Sequence, residues 1–268
     1  MKRELWLIVR RAVEYLPSEG AYLAAMRGLS RLGDGGGMTM KRSGAMVVLD
    51  GGHHVASLRR LPFYVRGLEY RAKRLTSDYS LDHIGFQPGD VVIDCGANVG
   101  DLLLSLDTTG VALRYVAFEP GRVEFECLRR NAGRFPQHTV ELHREALGDR
   151  NGTATFHANS DDGDGSILEI AGTTEKVEVD IVRLDSLPFG RVKLLKLEAE
   201  GYEPEVLEGA GGILDRIEYI AADVGFERGL KHESTLPAVT NFLLAHGFSI
   251  VANAKGRLVL LFRNNSLR

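Results

Sequence analysis

Two acidic residues, Asp94 and Glu119, each stand at the end of an apolar run that is typical of a buried parallel strand. After the first run, Gly96 and Gly100 form a glycine-bearing turn, and a leucine-rich stretch typical of a helix (101–106) follows. A strand, a turn and a helix N-terminus leave free backbone N–H groups and a positive dipole end beside a ligand. The glycines let that ligand approach the backbone closely, because they carry no Cβ. This stretch therefore predicts a small-molecule site.

The class of ligand follows from what this turn lacks. A dinucleotide-binding turn has glycine where Asn98 and Asp101 stand here, and no Gly-Lys-Ser or Gly-Lys-Thr of a phosphate-binding loop follows. Glu119 stands roughly 20 residues past the turn, where a carboxylate can accept both hydroxyls of a ribose. Asp94 supplies negative potential for an ammonium or sulfonium group. A cationic, ribose-bearing cofactor without a pyrophosphate is S-adenosylmethionine. The alternative is a nicotinamide-dependent oxidoreductase, which shares the strand, the turn and Glu119.

Charged residues also stand at the end of a later apolar strand. Lys196, Glu198 and Glu200 alternate there, and they project to one side if the extended geometry persists. Methyl transfer depends mostly on alignment of donor and acceptor, and a base assists an alcohol, which is a poor nucleophile. Glu198 is our first choice for the base, with Lys196 orienting it or binding the acceptor oxygen. The alternative is a simple ion pair between Lys196 and Glu200, since unpaired charges are costly at a strand end.

A second polar group follows the next predicted strand and faces the same edge of the sheet. Asp223 ends that strand and is the alternative base, and Glu227 and Arg228 come just after it. Arg228 is a candidate for binding an acceptor carboxylate or hydroxyl, although Glu227 and Arg228 also fit an ordinary surface pair. Ser166, after an acidic loop, is a candidate contact to cofactor or acceptor, or a turn cap. Acidic residues at this edge suit Mg²⁺, but we predict no metal site.

The elements that must position these residues alternate between strand and helix from residue 89 onward, which is typical of βαβ units. Two alternating, two-faced strands at 153–157 and 176–182 interrupt the pattern. They flank an acidic, glycine-rich loop, 159–165, which we interpret as a mobile lid or rim. A hairpin of two strands, 249–252 and 258–262, closes the chain.

Residues 1–80 are predicted to form a helical extension with a short hairpin, and residues 81–268 the main domain. Apolar residues at helical spacing predict helices over 5–16 and about 19–31. We expect these helices to form a cap on the main domain or an interface with a second copy of the chain. A basic amphipathic helix can also lie on a membrane surface.

The hairpin of the extension is predicted at 46–58, where an Asp-Gly-Gly turn separates two apolar runs. We expect His53 and His54, which stand at this turn, to be solvated, because no third residue at suitable spacing could complete a metal site. The arginine-rich segment 59–74 is either a solvated face or a site for an anionic group of the acceptor, such as a phosphate or a carboxylate.

Composition excludes several classes of partner. The 268-residue chain has a formal net charge of −3, which gives no general attraction to nucleic acid. Cys95 and Cys127 are too few for a disulfide framework, and both lie in apolar patterns, which favours a reducing cytoplasm. No apolar run reaches the ~18 residues of a membrane span. Arg10 and Arg11 interrupt the apolar block at the N-terminus, so we expect no signal peptide.

Several motifs occur together in one order along the chain. They are Asp-Cys-Gly-Ala-Asn-Val-Gly (94–100), Glu-Pro (119–120), Ala-Leu-Gly (146–148), and Lys-Leu-Glu-Ala-Glu-Gly-Tyr-Glu (196–203) with Val-Leu-Glu-Gly-Ala (206–210). From about residue 90 to 248 the chain thereby resembles the FkbM family of S-adenosylmethionine-dependent methyltransferases. The resemblance implies an α/β class I methyltransferase fold, a Rossmann-like, seven-stranded mixed sheet with helices on both faces. It also implies O-methylation, commonly of a sugar hydroxyl in a polysaccharide or a glycosylated natural product.

The resemblance also assigns roles to individual residues. The matching cofactor-binding positions are Asp94, Gly96, Ala97, Asn98, Gly100, Glu119, Pro120, Ala146 and Leu147. The resemblance further implies that the acceptor is a small molecule or a glycan. The family commonly reads Lys-Ile-Asp-Val-Glu-Gly, whereas Glu198 replaces the aspartate here and reaches one methylene farther, which implies a shifted acceptor. A module that binds the cofactor without turnover is the non-enzyme alternative, and the charged residues at the strand ends count against it.

Overall fold

The N-terminal part of the chain is a helix packed on a small antiparallel sheet. In the computed structural model, which describes residues 16, 18–32, 37–159 and 164–267, it contains α1 (Glu19–Leu32), β1 (Met40–Ser43), β2 (Met46–Leu49) and β3 (His54–Val55). Leu23 and Met26 of α1 pack in one apolar cluster with Met40 and Val47 of the sheet. The predicted second helix and hairpin are confirmed. The helix predicted over 5–16 lies outside the described residues, apart from Leu16.

The turn of this hairpin is buried rather than solvated. His53 is 0% exposed, and its Nε2 lies 3.0 Å from Asp101 Oδ1. Its Nδ1 lies 3.1 Å from an Arg134 nitrogen. The expectation of a solvated histidine is therefore wrong for His53, because the turn docks onto the main domain. His54 is half-buried, and its backbone N–H donates to the side chain of Asn131.

Alternating strands and helices follow, as predicted. The elements are α2 (Leu68–Asp78), β4 (Val91–Cys95), α3 (Asp101–Asp107), β5 (Arg114–Phe118), α4 (Arg122–Ala132) and β6 (Thr139–His143). Hydrogen bonds join β4, β5 and β6 as parallel neighbours.

A separate four-stranded sheet then interrupts the alternation. Its strands are β7 (Ala146–Leu147), β8 (Gly152–Asn159), β9 (Asp164–Ser166) and β10 (Glu175–Val182), in the order β7-β10-β8-β9. The two long strands were predicted, but the short strands at the sheet edges were not. Of the predicted lid, 159–165, residues 160–163 lie outside the described residues, and residues 159, 164 and 165 are part of this sheet rather than a loop.

The chain then returns to the main sheet. The elements are β11 (Val192–Leu197), α5 (Glu203–Gly209), β12 (Ile217–Asp223), α6 (Leu236–Ala245), β13 (Phe248–Asn253) and β14 (Val259–Asn264). The seven strands are in the order β13-β14-β12-β11-β4-β5-β6, with β14 antiparallel to its neighbours. This is the predicted seven-stranded mixed sheet.

Successive strand residues of this sheet enter two different apolar cores. In β4, Ile93 packs with α5 and α6 on one face, whereas Val92 packs with α3 and α4 on the other. The sheet is therefore covered by helices on both faces, which leaves the carboxyl ends of its parallel strands as the place for a ligand. No helix in the described parts of the chain is long and apolar enough to cross a membrane.

Candidate active site

A cavity of about 1480 Å³ opens where β4, β5 and β11 end. The main sheet contributes residues of the glycine turn, such as Gly96, and the side chains of Glu119 and Glu198. The four-stranded sheet contributes Ser166, and the N-terminal part contributes residues around Ser57. The cavity exceeds the ~300–1,000 Å³ of a typical single-ligand pocket. It therefore has room for a cofactor and a second molecule.

The turn that follows β4 has a conformation that requires its glycines. Gly96 has φ +71°, and a Cβ on it would lie 2.0 Å from the carbonyl oxygen of Glu198. Gly100 has φ +84°, and a Cβ there would lie 2.8 Å from Leu128 Cδ1. A side chain at position 96 would force the backbone to move, and one at position 100 would strain a left-handed backbone and displace the Leu128 side chain. Glycine at both positions therefore favours this shape of the turn beside a ligand.

Glu119 places a carboxylate in the cavity wall, where no cationic side chain among the described residues is in hydrogen-bond contact with it. Its two oxygens accept hydrogen bonds from the backbone N–H groups of Asn98 (2.8 Å) and Gly121 (2.7 Å). Burial, followed by the negative charge of Glu124, raises the pKa of Glu119 to about 8. Each carboxylate oxygen can accept a further hydrogen bond. The side chain thus fits the two hydroxyl groups of a ribose.

Cofactor affinity is expected to depend on pH through Glu119. Hydroxyl donors favour the ionised carboxylate, so binding lowers the pKa of about 8 and releases a proton. Affinity for S-adenosylmethionine should therefore rise by up to about tenfold per pH unit from pH 6 to 8, and level off above pH 8. Isothermal titration calorimetry at several pH values, in buffers of different ionisation enthalpy, measures both the affinity and the proton release.

The matched control for this prediction is Glu119→Gln, which keeps the shape but does not titrate. It should bind the cofactor more weakly above pH 8, and its affinity should lack the rise between pH 6 and 8 that ionisation of Glu119 gives the unmodified protein. The cofactor's own amino group titrates identically in both experiments, so it cancels in the comparison. Equal pH slopes in the two proteins would show that Glu119 does not bind the ribose.

Of the nine positions predicted to bind the cofactor, those that line the cavity are Gly96, Asn98, Glu119, Pro120, Ala146 and Leu147. Asp94, Ala97 and Gly100 do not line it. Asp94 is fully buried, where Tyr115 donates a hydrogen bond to one oxygen and Lys196 Nζ lies 3.0 Å from the other. Its carboxylate therefore faces protein groups under the turn, rather than the sulfonium group that the sequence suggested.

Lys196 is also placed under the turn and not in the cavity wall. The parallel register sets it beside Asp94 on the neighbouring strand. Its Nζ donates to the carbonyl oxygens of Cys95 (3.0 Å) and Gly96 (2.7 Å) and lies 3.1 Å from Glu198 Oε2. Burial alone would lower the pKa of Lys196, but the negative charges of Asp94 and Glu198 hold it well above its usual value. The ammonium therefore joins the turn to β11. Its contacts are with protein groups and not with the cavity, where an acceptor-binding group was expected.

Glu198 lies between the cavity and this buried cation. It accepts hydrogen bonds from Tyr79 and Arg257, and Arg257 also donates to Asp223. Burial alone would raise the pKa of Glu198, but Arg257, Lys196 and the Tyr79 hydroxyl hold it well below its usual value. Burial and the charge of Glu198 raise the pKa of Asp223. The structure thus brings both predicted bases together through one arginine, and Glu198 is the one that lines the cavity.

The extended geometry expected for residues 196–200 ends after Leu197. Glu200 has φ +49°, so its side chain does not continue the alternation of the strand. Its carbonyl oxygen accepts a hydrogen bond of 2.9 Å from Ser166 Oγ, and both residues line the cavity. The predicted pairing of Lys196 with Glu200 is not the one observed, because Lys196 is turned toward Asp94 and Glu198.

Glu227 and Arg228 follow β12 and do not line the cavity. The guanidinium of Arg228 binds Glu205 through hydrogen bonds of 2.6 and 2.9 Å and donates to the carbonyl oxygen of Gly201. Its charge is therefore satisfied within the protein. Burial, with the charges of Asp223 and Glu198, raises the pKa of Glu227 to about 8. Within the described ranges, no group of three acidic, histidine or cysteine residues could hold a metal ion.

Tyr79 and Arg257 are the members of this site that sequence reasoning missed. Tyr79 follows α2, and Arg257 lies in the loop between β13 and β14. The one signal for Arg257 is the register of β12 with β14, which pairs Asp223 with Val259. That register places the hairpin loop beside Asp223, but it is known only once the strands are paired.

Comparison with known proteins gives a match over the same part of the chain. A family described as "Methyltransferase FkbM domain" matches residues 94–250. The "31-O-demethyl-FK506 methyltransferase FkbM" of Streptomyces tacrolimicus is 30% identical over 63% of this chain and 76% of its own length. "Methyltransferase 1" of Beauveria bassiana is 26% identical over 53% and 67%. The "2-O-methyltransferase NoeI" of Sinorhizobium fredii is 23% identical over 72% and 86%.

Proposed function

The chain belongs to the FkbM family of methyltransferases, whose cofactor is S-adenosylmethionine, and we propose that it methylates a sugar hydroxyl of a glycan or a glycosylated metabolite. Two relatives support the choice of oxygen as the atom that is methylated, because their names describe methylation at O-31 and O-2. The volume of the cavity, about 1480 Å³, supports an acceptor of considerable size.

The residues of the cavity fit this cofactor. Glu119 would bind the ribose hydroxyls, and the turn around Gly96 would lie against the rest of the nucleoside, since its glycines permit close approach. When bound, S-adenosylmethionine supplies an electrophilic methyl group. The residues of this chain must then place an acceptor oxygen in line with that group, which is the largest catalytic contribution available.

Glu198 is the carboxylate that we propose as the base, with Asp223 as the alternative. The observation that carries this proposal is that Glu198 lines the same cavity as Gly96 and Glu119. Its low pKa keeps it ionised, so it can accept a hydrogen bond from the acceptor hydroxyl at any ordinary pH. An alcohol proton becomes strongly acidic as the new carbon–oxygen bond forms. A weak base therefore suffices, provided that the proton leaves late.

Glu198→Gln is expected to lower kcat by about 10²- to 10⁴-fold, because it removes a base but keeps the shape of the side chain. Affinity for S-adenosylmethionine should change little, since Glu119 and the turn remain. Single-turnover rates with radiolabelled cofactor, together with calorimetric affinities, separate these two quantities. Asp223→Asn and Glu200→Gln are the matched comparisons and should each retain more activity. A full rate in Glu198→Gln with a low rate in Asp223→Asn would transfer the role to Asp223.

The acceptor class has its own test. We expect radiolabel from S-adenosylmethionine to enter sugar hydroxyls when nucleotide sugars, oligosaccharides and glycosylated metabolites are screened. Mass spectrometry and NMR of the product would locate a methyl ether. Labelling of amine or thiol acceptors, with none of the sugars, would contradict the proposal.

A reducing compartment such as the cytoplasm is the proposed location. Cys95 and Cys127 are both buried free thiols, which is the state that a reducing environment preserves.

A further inference from the structure

The turn that follows β4 is bonded to the N-terminal part of the chain, which lies outside the matched family region 94–250. The link is Asn131 of α4, which is 1% exposed. Its Nδ2 donates to the carbonyl oxygens of Val99 (2.7 Å) and His54 (2.8 Å), and its Oδ1 accepts from the N–H of His54 (2.7 Å). One buried amide thus holds both the turn and strand β3.

A second link joins the end of the turn to the same part of the chain. Asp101 Oδ2 accepts hydrogen bonds of 2.7 Å from the Tyr64 hydroxyl and from Arg71 Nε. Its other oxygen lies 3.0 Å from His53 Nε2. Because a guanidinium can only donate, the contact with Arg134 makes His53 Nδ1 an acceptor and places the proton on Nε2, toward Asp101. Two hydrogen bonds and one close contact therefore join this carboxylate to residues that precede β4.

A third contact is apolar. Val99 of the turn, Ala56 after β3 and Cys127 of α4 form one buried cluster. Ala56 and the adjacent Ser57 and Leu58 also line the cavity. The segment that is attached to the turn is therefore also a wall of the space in which the acceptor must bind.

We propose that residues 38–66, here called the N-terminal clamp, hold the glycine turn in its cofactor-binding shape, with Asn131, Tyr64 and Asp101 as positioning residues. Cofactor binding and docking of the clamp are then coupled. A turn held in place by buried polar groups that are hydrogen-bonded to it loses little further freedom when a ligand binds, which is the general source of affinity from preorganisation. By linkage, bound cofactor must stabilise the docked clamp to the same extent.

The experiment compares two buried asparagines that each bridge a pair of carbonyl oxygens. Asn131→Leu breaks the clamp, whereas Asn264→Leu breaks a similar bridge from Asn264 to Leu214 and Ile217, away from the turn. We expect Asn131→Leu to raise the dissociation constant of S-adenosylmethionine by about tenfold. Asn264→Leu should bind the cofactor like the unmodified protein, even if its melting temperature falls as far. Calorimetry is done on samples whose circular dichroism shows that they are folded.

A milder variant covers the case in which Asn131→Leu does not fold. Tyr64→Phe keeps the ring and removes only the hydroxyl that binds Asp101, and we expect a rise in the dissociation constant of about threefold. Hydrogen exchange gives the reciprocal result: the His54 amide should exchange more slowly when the cofactor is bound. The proposal would be overturned if a folded Asn131→Leu or Tyr64→Phe protein had an unchanged dissociation constant. It would also be overturned if the exchange rate of the His54 amide were the same with and without the cofactor. None of these measurements needs an acceptor, so they are independent of the proposed hydroxyl substrate.

Discussion

Lys196→Met is expected to lower the free energy of unfolding by about 3–5 kcal/mol, because it leaves buried charges without a counter-ion. The ammonium is 4% exposed, 3.0 Å from Asp94 and 3.1 Å from Glu198, and it donates to two carbonyl oxygens of the turn. Methionine fills a similar volume but satisfies none of these groups. Urea unfolding followed by circular dichroism measures the loss.

The control for this prediction lies on the same strand. Lys193 binds Glu218 at 3.0 Å, but Arg191 also binds that carboxylate, so Lys193→Met should cost only roughly 1 kcal/mol. A second check is Asp94→Asn in the Lys196→Met background, which removes one buried charge that has lost its counter-ion. The double variant should be more stable than Lys196→Met alone. If Lys196→Met were as mild as Lys193→Met, the buried ion pairs would not hold the turn.

The contrast between Lys196 and Glu119 shows how far sequence could predict this site. Both stand at strand ends beside the glycine turn, and the sequence treats them alike as functional polar groups. The parallel register places Lys196 directly beside Asp94, where the two charges bind each other. Glu119 has no cationic side chain in hydrogen-bond contact within the described part of the chain, and it lines the cavity. Spacing predicts which residues reach the edge of the sheet, but side-chain pairing between strands decides which of them remain available to a ligand.

The fold was predictable where periodicity is strong and less so where contacts come from distant segments. The strand, turn and helix around Gly96 and the closing hairpin follow from local patterns, and each is observed. The burial of His53 does not follow from its Asp-Gly-Gly turn, because that turn docks on α3 and α4 through Asp101 and Asn131. Tyr79 and Arg257 are remote from Glu198 in sequence and meet it only through the three-dimensional fold.

Arg257→Met is expected to lower kcat by about 10²-fold, since Glu198 and Asp223 are then no longer held together and the proposed base loses its position. Arg257 donates to both carboxylates and is the strongest of the charges that lower the pKa of Glu198. Without it the pKa of Glu198 rises. Activity should then fall as the pH drops through the raised value, because the protonated carboxyl cannot accept a proton. The unmodified protein has no such loss from Glu198 near neutral pH.

The pH profile of kcat/KM tests this result in a way that a merely structural role would not affect. Arg263→Met on β14 of the same hairpin is the control, because Arg263 is exposed and lies 5.8 Å from the ring centre of Tyr219, away from Glu198. It should retain the unmodified rate and profile. An Arg257→Met protein that is slow but has an unshifted acid limb would mean that Arg257 supports folding of the loop and does not tune Glu198. Full activity in Arg257→Met would remove the arginine from the proposed catalytic arrangement altogether.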